Sequence, residues 1–366
     1  MRWGEKTTLV IPTRNRYPLL SRLLRFYSLF DLGLRILVLD SSDETEEPSR
    51  LSPWLGSPKV EVRRFPPDRL PIPKLAQGLR SVRTPYVFLC ADDDFILPAA
   101  VDRCVAFLEE NRDYTIAHGY YMLLPDAFEP GRRLECAPCY PYQKSQEASS
   151  PSRRLREHFG DYSGTTFYAV HRTPSLAAAL EETQAKASDW GLTELLPSGL
   201  TIIDGKMKVL PIPYAARSSP AASGGGAVGS TPDQWYLPEK VAKVADSLAR
   251  RLAAAEGISR EEALRVSETS LRALIERELA ATRSQRSSGR PARRVQGLVR
   301  EVLKRAGMLQ PARRLLGLVR GYDPGRPIEA IAAEYRTLLS APSPFGGDVA
   351  NMLRCLEHPS SRGTPD

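Results

Sequence analysis

Three consecutive carboxylates, Asp92 to Asp94, directly follow an apolar run at residues 87–91. A run of β-favouring residues of this kind predicts a buried strand. Three acids at the end of a strand repel one another and lose hydration. A hard divalent cation such as Mg²⁺ or Mn²⁺ would relieve both costs and keep coordination positions open for phosphate oxygens. Alternatively, the acids cap the helix predicted to follow them, because Asp is favoured before a helix. The residue types alone leave both interpretations open.

Two further polar clusters follow predicted strands earlier in the chain. Residues 7–11 predict a buried strand stopped by Pro12, and residues 34–39 predict a second strand that ends at Asp40. Ligands of parallel α/β sheets bind beyond the carboxyl ends of the strands. We therefore expect the loop that begins at Pro12, Asp40 and the acidic run to line one ligand-binding edge.

The elements that must position these clusters alternate between strand and helix. Besides the strands above, the patterns predict strands at 59–65, 114–124, 165–171 and 206–212, and helices at 17–30, 74–81, 98–110, 174–180 and 190–196. Alternation at this spacing predicts an α/β fold with a mostly parallel sheet flanked by helices. From residue 238 onward the pattern is helical, so we expect a C-terminal helical extension.

Composition predicts a soluble protein with one large domain and an appendage. The 366 residues are 42% hydrophobic and 26% charged, and no apolar segment approaches the roughly 20 residues that span a bilayer. The first residues lack the layout of a signal peptide, and five cysteines without framework spacing indicate reduced thiols, so we expect a cytoplasmic protein. We divide the chain into a domain at 1–217, a Gly-, Ser- and Pro-rich loop or linker at 218–237, and a basic helical region at 238–366.

The formal charge of +8 is concentrated in one segment. Residues 283–320 carry eleven Lys and Arg residues and one acid, Glu301, whereas the rest of the chain is close to neutral. This distribution argues against a nucleic-acid-binding protein and favours one localised anionic partner. Apolar residues at helical spacing within 292–305 predict a basic amphipathic helix. That helix would either lie on an anionic membrane surface, at the inner face of the cell membrane, or pack its apolar face on the preceding domain.

Taken together, the three strand-end clusters resemble a family-2 type glycosyltransferase with the GT-A fold, and in particular a bacterial subgroup of glycosyltransferase domains. The resemblance runs from about Thr8 to about Pro213. It is carried by residues 8–16 (TLVIPTRNR), 37–42 (LVLDSS) and 90–94 (CADDD), in the family's order and spacing. It implies a metal-dependent, inverting enzyme that moves a sugar from a nucleotide-sugar donor to a glycan, lipid-linked or protein acceptor. The expected setting is the assembly of bacterial surface polysaccharides or glycoconjugates.

The resemblance also implies which residues bind the nucleotide. It places Pro12, Thr13 and Arg14 around the nucleoside, with Arg14 as a candidate phosphate contact. Asp40 resembles the acid that accepts a hydrogen bond from a ring nitrogen of the nucleobase; its alternative role is a helix or turn cap. Lys74 lies where the family has a short helix facing the donor, but the usual Arg-Asn is missing there. Lys74 therefore stays a weaker candidate for a phosphate contact.

The acidic run receives the metal by the same resemblance. Asp92 and Asp94 form an Asp-x-Asp pair, and on an extended segment residues i and i+2 share a face. Asp92 is assigned mainly to the ribose and as a second metal ligand, Asp94 to Mn²⁺ or Mg²⁺, and Asp93 to either role. The ion would act as a Lewis acid on the departing diphosphate. Cys90 stands where the commoner motif has its first acid, so which carboxylate contacts the ion is left open.

An inverting transfer needs a general base within hydrogen-bond reach of the acceptor hydroxyl. By resemblance this base is a carboxylate at the start of a helix ahead of the last strand, and Glu194 and Asp189 both meet the description. Spacing to the strand entry at residues 205–209 favours Glu194. Asp189 stays a candidate, because an acid next to a tryptophan, here Trp190, also resembles the family pattern. Either acid could instead be an ordinary helix-start residue that interacts with the helix dipole.

Two histidines and two other functions complete the expectations. His118 and His171 lie in predicted strands, and each is expected to be structural rather than a ligand of metal or phosphate. A Mg²⁺-dependent sugar nucleotidyltransferase would also bind nucleotide phosphates, but it would want a Gly-rich loop after the first strand, and residues 12–16 hold no glycine. A non-catalytic nucleotide-sugar-binding protein of the same fold would show no hydrolysis of nucleotide sugars when metal is added.

Overall fold

The structure is a computed structural model that describes residues 2–43, 51–123, 137–139, 143–162, 165–186, 190–218, 237–287 and 343–357. Four of the predicted features fall wholly or mostly outside these residues. They are Asp189, the loop or linker at 218–237 except for its two end residues, the basic segment at 283–320 except for residues 283–287, and the amphipathic helix at 292–305.

The strands of the described residues form one sheet. They are β1 (Thr7–Thr13), β2 (Arg35–Asp40), β3 (Val60–Arg64), β4 (Tyr86–Leu89), β5 (Phe95–Ile96), β6 (Tyr114–Leu123), β7 (Ala137–Pro138), β8 (Val170–Arg172) and β9 (Lys206–Arg217). The order is β3-β2-β1-β4-β8-β6-β9-β5, with β7 paired to β6. Strands β3, β2, β1 and β4 are mutually parallel, β8 runs antiparallel to β4 and β6, and β9 is parallel to β6.

Helices flank this sheet and continue beyond it. They are α1 (Tyr17–Ser28), α2 (Ser52–Leu55), α3 (Pro71–Leu79), α4 (Pro98–Glu110), α5 (Pro151–Gly160), α6 (Thr173–Lys186), α7 (Trp190–Asp204), α8 (Pro238–Glu256), α9 (Arg260–Ser287) and α10 (Pro344–Glu357). The predicted α/β class with a mostly parallel sheet and helices after residue 238 is confirmed. No helix in the described part of the chain is long and apolar enough to cross a lipid bilayer.

Strand β1 is central because both of its faces are apolar. Leu9 and Ile11 pack into the core cluster on one side of the sheet, and Val10 packs into the cluster on the other side. Side chains alternate between the two faces of a strand, so a continuous apolar run needs cover on both. This burial explains why the first strands were visible in the sequence.

The prediction that β1 stops before Pro12 is wrong, because the strand continues to Thr13. Val10 O accepts from Cys90 N–H on the β4 side, and Pro12, two residues later, faces the same side. Strand β4 has already ended at that level. The N–H that proline lacks would therefore have had no strand to donate to, and the sheet loses no hydrogen bond at Pro12. Pro12 still pairs in register with Leu39 of β2.

Two other local predictions need correction. Residues 165–171 were expected to form one strand, but Thr165–Tyr168 is a 3₁₀ turn and only Val170–Arg172 is a strand. The turn is closed by Ala169 N–H donating to Thr166 O at 3.2 Å. Helix α5 was not predicted. Its signal is Ser150 followed by Pro151, since Ser150 caps the helix by accepting from Arg153 N–H.

Helices α8 and α9 share a hydrophobic core with helices of the preceding region. The buried members of this cluster include Leu155 and Phe159 of α5, Leu195, Leu196, Leu200 and Ile203 of α7, Val244 and Leu248 of α8, and Leu271 and Leu274 of α9. Gly199 permits the close approach, because a Cβ built there would lie 2.7 Å from Leu248 Cδ2 and 3.0 Å from Phe159 Cζ. The residues on either side of the predicted boundary at 217 therefore bury one another.

Helix α10 packs on the side of the sheet that carries α1 and α4. Its residues Phe345, Val349, Met352 and Cys355 join the cluster that also contains residues of α1 and α4. Asp348 Oδ2 accepts a hydrogen bond of 2.8 Å from Ala99 N–H in the first turn of α4. Asp348 thereby supplies the cap that α4 lacks in its own sequence, where Leu97 makes no side-chain cap bond.

Candidate active site

The carboxyl ends of β2, β1 and β4 lie side by side, and their polar residues meet there. Thr13 pairs in register with Asp40, and Thr13 Oγ1 donates to Asp92 Oδ2 at 2.8 Å. All three residues are buried. The structure thus brings together the three clusters that the sequence placed on one edge.

The three carboxylates belong to a turn rather than to an extended segment. Strand β4 ends at Leu89, and Asp94 N–H donates to Ala91 O at 3.2 Å, which closes a turn over residues 91–94, hereafter the acidic turn. The expectation that Asp92 and Asp94 share one face of an extended segment is wrong. Adjacent carboxylates repel, and two arginines compensate the three in this turn: Arg16 contacts Asp92 and Asp93, and Arg217 contacts Asp94. None of the three caps α4.

Arg16 holds the first two carboxylates. Its Nη1 lies 2.9 Å from Asp92 Oδ1, and its Nη2 lies 2.6 Å from Asp93 Oδ2. Arg16 directly precedes α1 and follows Asn15, which has a positive φ of 55°. Asn15 N–H donates to Ser42 Oγ at 2.8 Å, so the loop after β1 is fixed against the loop after β2. This local geometry aims Arg16 at the acidic turn.

The third carboxylate is held from the end of β9. Arg217 Nε lies 3.0 Å from Asp94 Oδ2, and Ser218 N–H donates to Asp94 Oδ1 at 2.9 Å. Ser218 Oγ also donates to Asp93 O at 2.6 Å, and Arg22 Nη2 donates to the same carbonyl at 3.0 Å. The acidic turn is therefore connected to the first helix and to the last strand of the sheet.

Burial dominates the electrostatics of the acidic turn. It raises the pKa of Asp92 to about 6, although Arg16 and the Thr13 hydroxyl act in the opposite direction. It likewise raises the pKa of Asp94 to about 6, with Arg217 opposing. A buried charge is costly until it is fully compensated. Additional positive charge would therefore stabilise these carboxylates in their ionised form.

Asp40 is held by several donors at the end of β2. Its Oδ2 accepts from Tyr17 Oη at 2.6 Å and from Arg64, and its Oδ1 accepts from Ser42 N–H at 2.8 Å. Burial acts to raise the pKa of Asp40, but these hydrogen bonds outweigh it and lower the pKa below its usual value. Asp40 is therefore a carboxylate acceptor at the predicted ligand-binding edge.

Lys74 lies beneath this edge rather than on it. Its Nζ donates to Thr13 O and to Ser41 Oγ, both at 2.8 Å, and only 2% of the residue is exposed. Burial lowers the pKa of Lys74 to about 8, while Asp40 and Asp92 act to raise it. Lys74 therefore ties the ends of β1 and β2 together. Arg14, by contrast, is exposed, and its Nη2 lies 3.9 Å from Asp43 Oδ1.

Of the two candidate bases, Glu194 is described by the structure. It lies in α7, is half-buried, and its Oε1 accepts from Tyr162 Oη at 2.9 Å. Burial raises the pKa of Glu194, Tyr162 and Arg217 lower it, and Glu278 raises it. Arg217 thus acts on both Glu194 and Asp94. A carboxylate with a raised pKa is suited to accept a proton near neutral pH.

His118 in β6 and His171 in β8 are both buried. His118 Nδ1 bonds to Gly119 O and His171 Nε2 bonds to Thr166 O, both at 2.7 Å. Burial lowers the pKa of each imidazole to about 4, so both are neutral at physiological pH. Neither touches the acidic turn, which agrees with a structural role.

The acidic turn suits a hard divalent cation. It offers carboxylate oxygens, which Mg²⁺ and Mn²⁺ prefer, and the raised pKa of Asp92 and of Asp94 shows that their negative charge is not fully compensated. The described residues contain no group of three or more His, Cys, Asp or Glu side chains arranged to hold a metal ion. An ion shared with substrate phosphates needs only one or two carboxylates from the protein.

Sequence reasoning missed the partners of the carboxylates. Arg16 and Arg217 hold the acidic turn, Tyr17 and Arg64 hold Asp40, and Tyr162 holds Glu194. A signal existed for Arg217, because the rule that ligands meet the carboxyl ends of strands also applies to the last strand. The predicted end of that strand at residue 212 fell five residues short of Arg217.

Comparison with known proteins gives a family match and structural neighbours. Residues 8–168 match the profile of "Glycosyl transferase family 2". The S. aureus protein TarS (residues 1–349, in complex with UDP-GlcNAc) is similar at a TM-score of 0.51 and 14% identity, over 75% of this chain and 73% of that chain. The mannosyltransferase PcManGT from Pyrobaculum calidifontis, in complex with GDP-Man and Mn²⁺, is similar at a TM-score of 0.41 and 14% identity, over 91% of this chain and 86% of that chain. No curated protein matches the chain significantly.

Proposed function

We propose that the chain is a GT-A glycosyltransferase that transfers a sugar from a nucleotide-sugar donor bound at the edge formed by Thr13, Asp40 and the acidic turn. The match of residues 8–168 to glycosyl transferase family 2 supports this proposal. The observation that carries this proposal is the convergence of three strand ends, joined by the Thr13–Asp92 hydrogen bond. The family match favours this reaction over nucleotidyl transfer. TarS was solved with UDP-GlcNAc, which supports a nucleotide sugar as the donor.

The nucleotide half of the donor would lie over the ends of β1 and β2. Pro12, Thr13 and the exposed Arg14 would line the nucleoside, and Asp40 would accept a hydrogen bond from the base. The hydrogen bonds from Tyr17 and Ser42 keep the Asp40 carboxylate ionised and oriented for this role. Lys74 would act here by holding the two strand ends at a fixed separation.

The diphosphate would lie at the acidic turn with Mn²⁺ or Mg²⁺, held by Asp94 and by Asp92 or Asp93. When bound, the ion would supply Lewis-acid stabilisation of the leaving nucleoside diphosphate. Arg16 and Arg217 would hold the three carboxylates in place until the donor arrives. Both guanidiniums also lie close enough to the acidic turn to add positive charge beside a bound diphosphate.

Glu194 would be the general base. In the proposed reaction the acceptor hydroxyl oxygen attacks the anomeric carbon, its proton passes to Glu194, and the bond from that carbon to the diphosphate oxygen breaks. The nucleoside diphosphate leaves with the bonding electrons, and the configuration inverts. The assignment of Glu194 as the base is supported by Arg217, which lowers the pKa of Glu194 and also contacts Asp94. Asp189 is the alternative base.

We place the acceptor among glycans, lipid-linked glycans or proteins of bacterial surface-polysaccharide or glycoconjugate assembly. The basic residues within 283–320 support a cytoplasmic protein that associates with an anionic membrane surface, where a lipid-linked acceptor would lie. Deleting residues 288–320 should abolish binding to vesicles that contain anionic lipid. An intact chain that ignores such vesicles would remove the membrane part of the proposal.

The donor assignment is tested by titrating UDP-, GDP-, dTDP- and CMP-sugars into the protein with Mn²⁺ and following heat and slow donor hydrolysis. One of these donors should bind, and Asp94→Asn should lose the metal-dependent part of that binding. The matched control is Asp102→Asn, which changes an exposed acid on α4 and should bind as the parent does. If no donor binds, or if Asp94→Asn binds as tightly as the parent, the proposal fails.

A further inference from the structure

We propose that Tyr162 is a positioning residue for the base Glu194, and that helix α9 fixes Tyr162 through Arg277, so that the C-terminal helices complete the catalytic site. This inference rests on the role proposed for Glu194. It gives the helices after residue 238 a part in the chemistry. The residues that carry this part are Glu194, Tyr162 and Arg277, which the sequence analysis did not connect.

The first link is a direct hydrogen bond. Tyr162 Oη donates to Glu194 Oε1 at 2.9 Å. A donor to a carboxylate stabilises its ionised form and fixes which oxygen is turned toward the protein. The other oxygen of Glu194 is then the one available to an acceptor hydroxyl. Tyr162 therefore orients the base and lowers its pKa against the effect of burial, which raises it.

The second link fixes the ring of Tyr162. The ring packs edge-on against His158, with centroids 5.2 Å apart, and against Phe159 at 6.1 Å. His158 in turn bonds through Nε2 to Ser198 Oγ at 2.6 Å. Ser198 lies four residues after Glu194 and hence on the same face of α7. Two polar contacts, Tyr162–Glu194 and His158–Ser198, therefore hold α7 against the end of α5.

The third link comes from α9. Arg277 Nη2 donates to Tyr162 O at 3.3 Å, and the same guanidinium donates to Gly160 O. Gly160 is the last residue of α5, where a cation meets unpaired carbonyls and the negative end of the helix dipole. Leu271 and Leu274 of α9 enter the core that also contains Phe159 and Leu195. Helix α9 is thereby packed and hydrogen-bonded to the segment that carries Tyr162.

The charges that face Glu194 make the inference testable by pH. Tyr162 and Arg217 lower the pKa of Glu194, and Glu278, the neighbour of Arg277 on α9, raises it. The base works when ionised, so activity rises with pH through its pKa. Removing the Tyr162 hydroxyl should raise this pKa and move the acidic limb of the kcat profile to higher pH. Removing the charge of Glu278 should move the limb to lower pH.

The decisive variant is Tyr162→Phe, which keeps the ring and its packing. We expect kcat to fall about tenfold, as for the loss of one hydrogen bond to a charged group, with an unchanged KM for the donor and an acidic limb shifted to higher pH. Arg277→Met should show the same shift to a smaller extent. Arg277→Lys keeps the positive charge and should return the pH profile part of the way to that of the parent. Glu278→Gln should move the limb the other way. The matched control is Tyr114→Phe, because Tyr114 Oη donates to Glu147 Oε1 at 2.6 Å in an equivalent pair away from the site.

A second variant, Glu194→Gln, distinguishes a failure of this inference from a failure of the proposed function. Glu194→Gln should abolish transfer while donor binding persists. If Glu194→Gln stays fully active, Glu194 is not the base, and the inference falls with that assignment. If Glu194→Gln is inactive but Tyr162→Phe has the parent's kcat and pH profile, the proposed function stands and the positioning role of Tyr162 is overturned.

Discussion

Arg217 Nε lies 3.0 Å from Asp94 Oδ2, so the end of the last strand is joined to the acidic turn across 123 residues of sequence. Asp94 is almost completely buried, and Arg217 is about one quarter exposed. The guanidinium therefore already neutralises part of the charge of a carboxylate that we propose as a metal ligand. Arg217 is at once the counter-charge of Asp94 and a competitor for any cation that Asp94 binds.

Arg217→Met should accordingly bind Mn²⁺ more tightly than the parent in the absence of donor, because one positive charge near the site is removed. Direct titration of Mn²⁺, followed by its electron paramagnetic resonance signal, measures the affinity. Arg103→Met, at an exposed position on α4, is the control and should leave the affinity unchanged. Equal affinities for Arg217→Met and the parent would show that Asp94 is not a metal ligand.

Lys74→Met should destabilise the protein and weaken nucleotide binding together. The substitution leaves Thr13 O without its buried donor and separates β1 from Ser41, at a cost of about 1–3 kcal/mol in the free energy of unfolding. Urea denaturation gives this free energy, and calorimetry gives the affinity for the free nucleotide. A variant that keeps the parent's stability but loses affinity for the diphosphate would instead identify Lys74 as a phosphate contact.

Gly199→Ala should destabilise the core shared by α5, α7 and α8. Its Cβ would lie 2.7 Å from Leu248 Cδ2 and 3.0 Å from Phe159 Cζ, and such overpacking costs about 1–3 kcal/mol. The control is Gly347→Ala in α10, where a Cβ meets nothing within 4 Å and the better helix former should add about 0.5–1 kcal/mol. The midpoint temperature of thermal unfolding should therefore fall for Gly199→Ala and rise for Gly347→Ala. An equal rise of the midpoint in both variants would rule out the close packing at Gly199.

Asp348→Asn should raise stability at neutral pH. Burial raises the pKa of Asp348 to about 6, so the folded protein takes up a proton as the pH falls through 6, whereas the unfolded chain does so near 3.8. The parent therefore gains stability from this group between about pH 6 and pH 3.8, and above pH 6 it bears the cost of a buried charge. Asparagine keeps an acceptor for Ala99 N–H without the charge. Unfolding free energies measured from pH 4 to pH 8 should show an advantage for the variant that disappears at the acidic end, and an advantage independent of pH would contradict the assignment.

The sequence was sufficient to predict the sheet and the meeting of Thr13, Asp40 and Asp92 at one edge of it. Strands β1, β2 and β4 are apolar on both faces, and this burial leaves a pattern that can be read residue by residue. The acidic residues at their ends followed from the same pattern. The arginine partners were not predicted. Arg16 meets its carboxylates only after the chain has folded, and Arg217 was missed because its strand was predicted to end at residue 212. The turn at residues 91–94 escaped for a related reason, since local patterning does not show how three repelling charges will be separated.

The core that α7 shares with α8 and α9 limits how the chain can be cut or recombined. A fragment that ends at residue 217 would leave Leu195, Leu196 and Leu200 exposed to water on one face of α7, and an apolar patch of this kind favours aggregation. Donor-binding and C-terminal portions of related proteins could not be exchanged at that point without redesigning both surfaces. The two portions are therefore expected to be inherited and expressed as one unit, and substitutions in α7 to be matched by substitutions in α8 and α9.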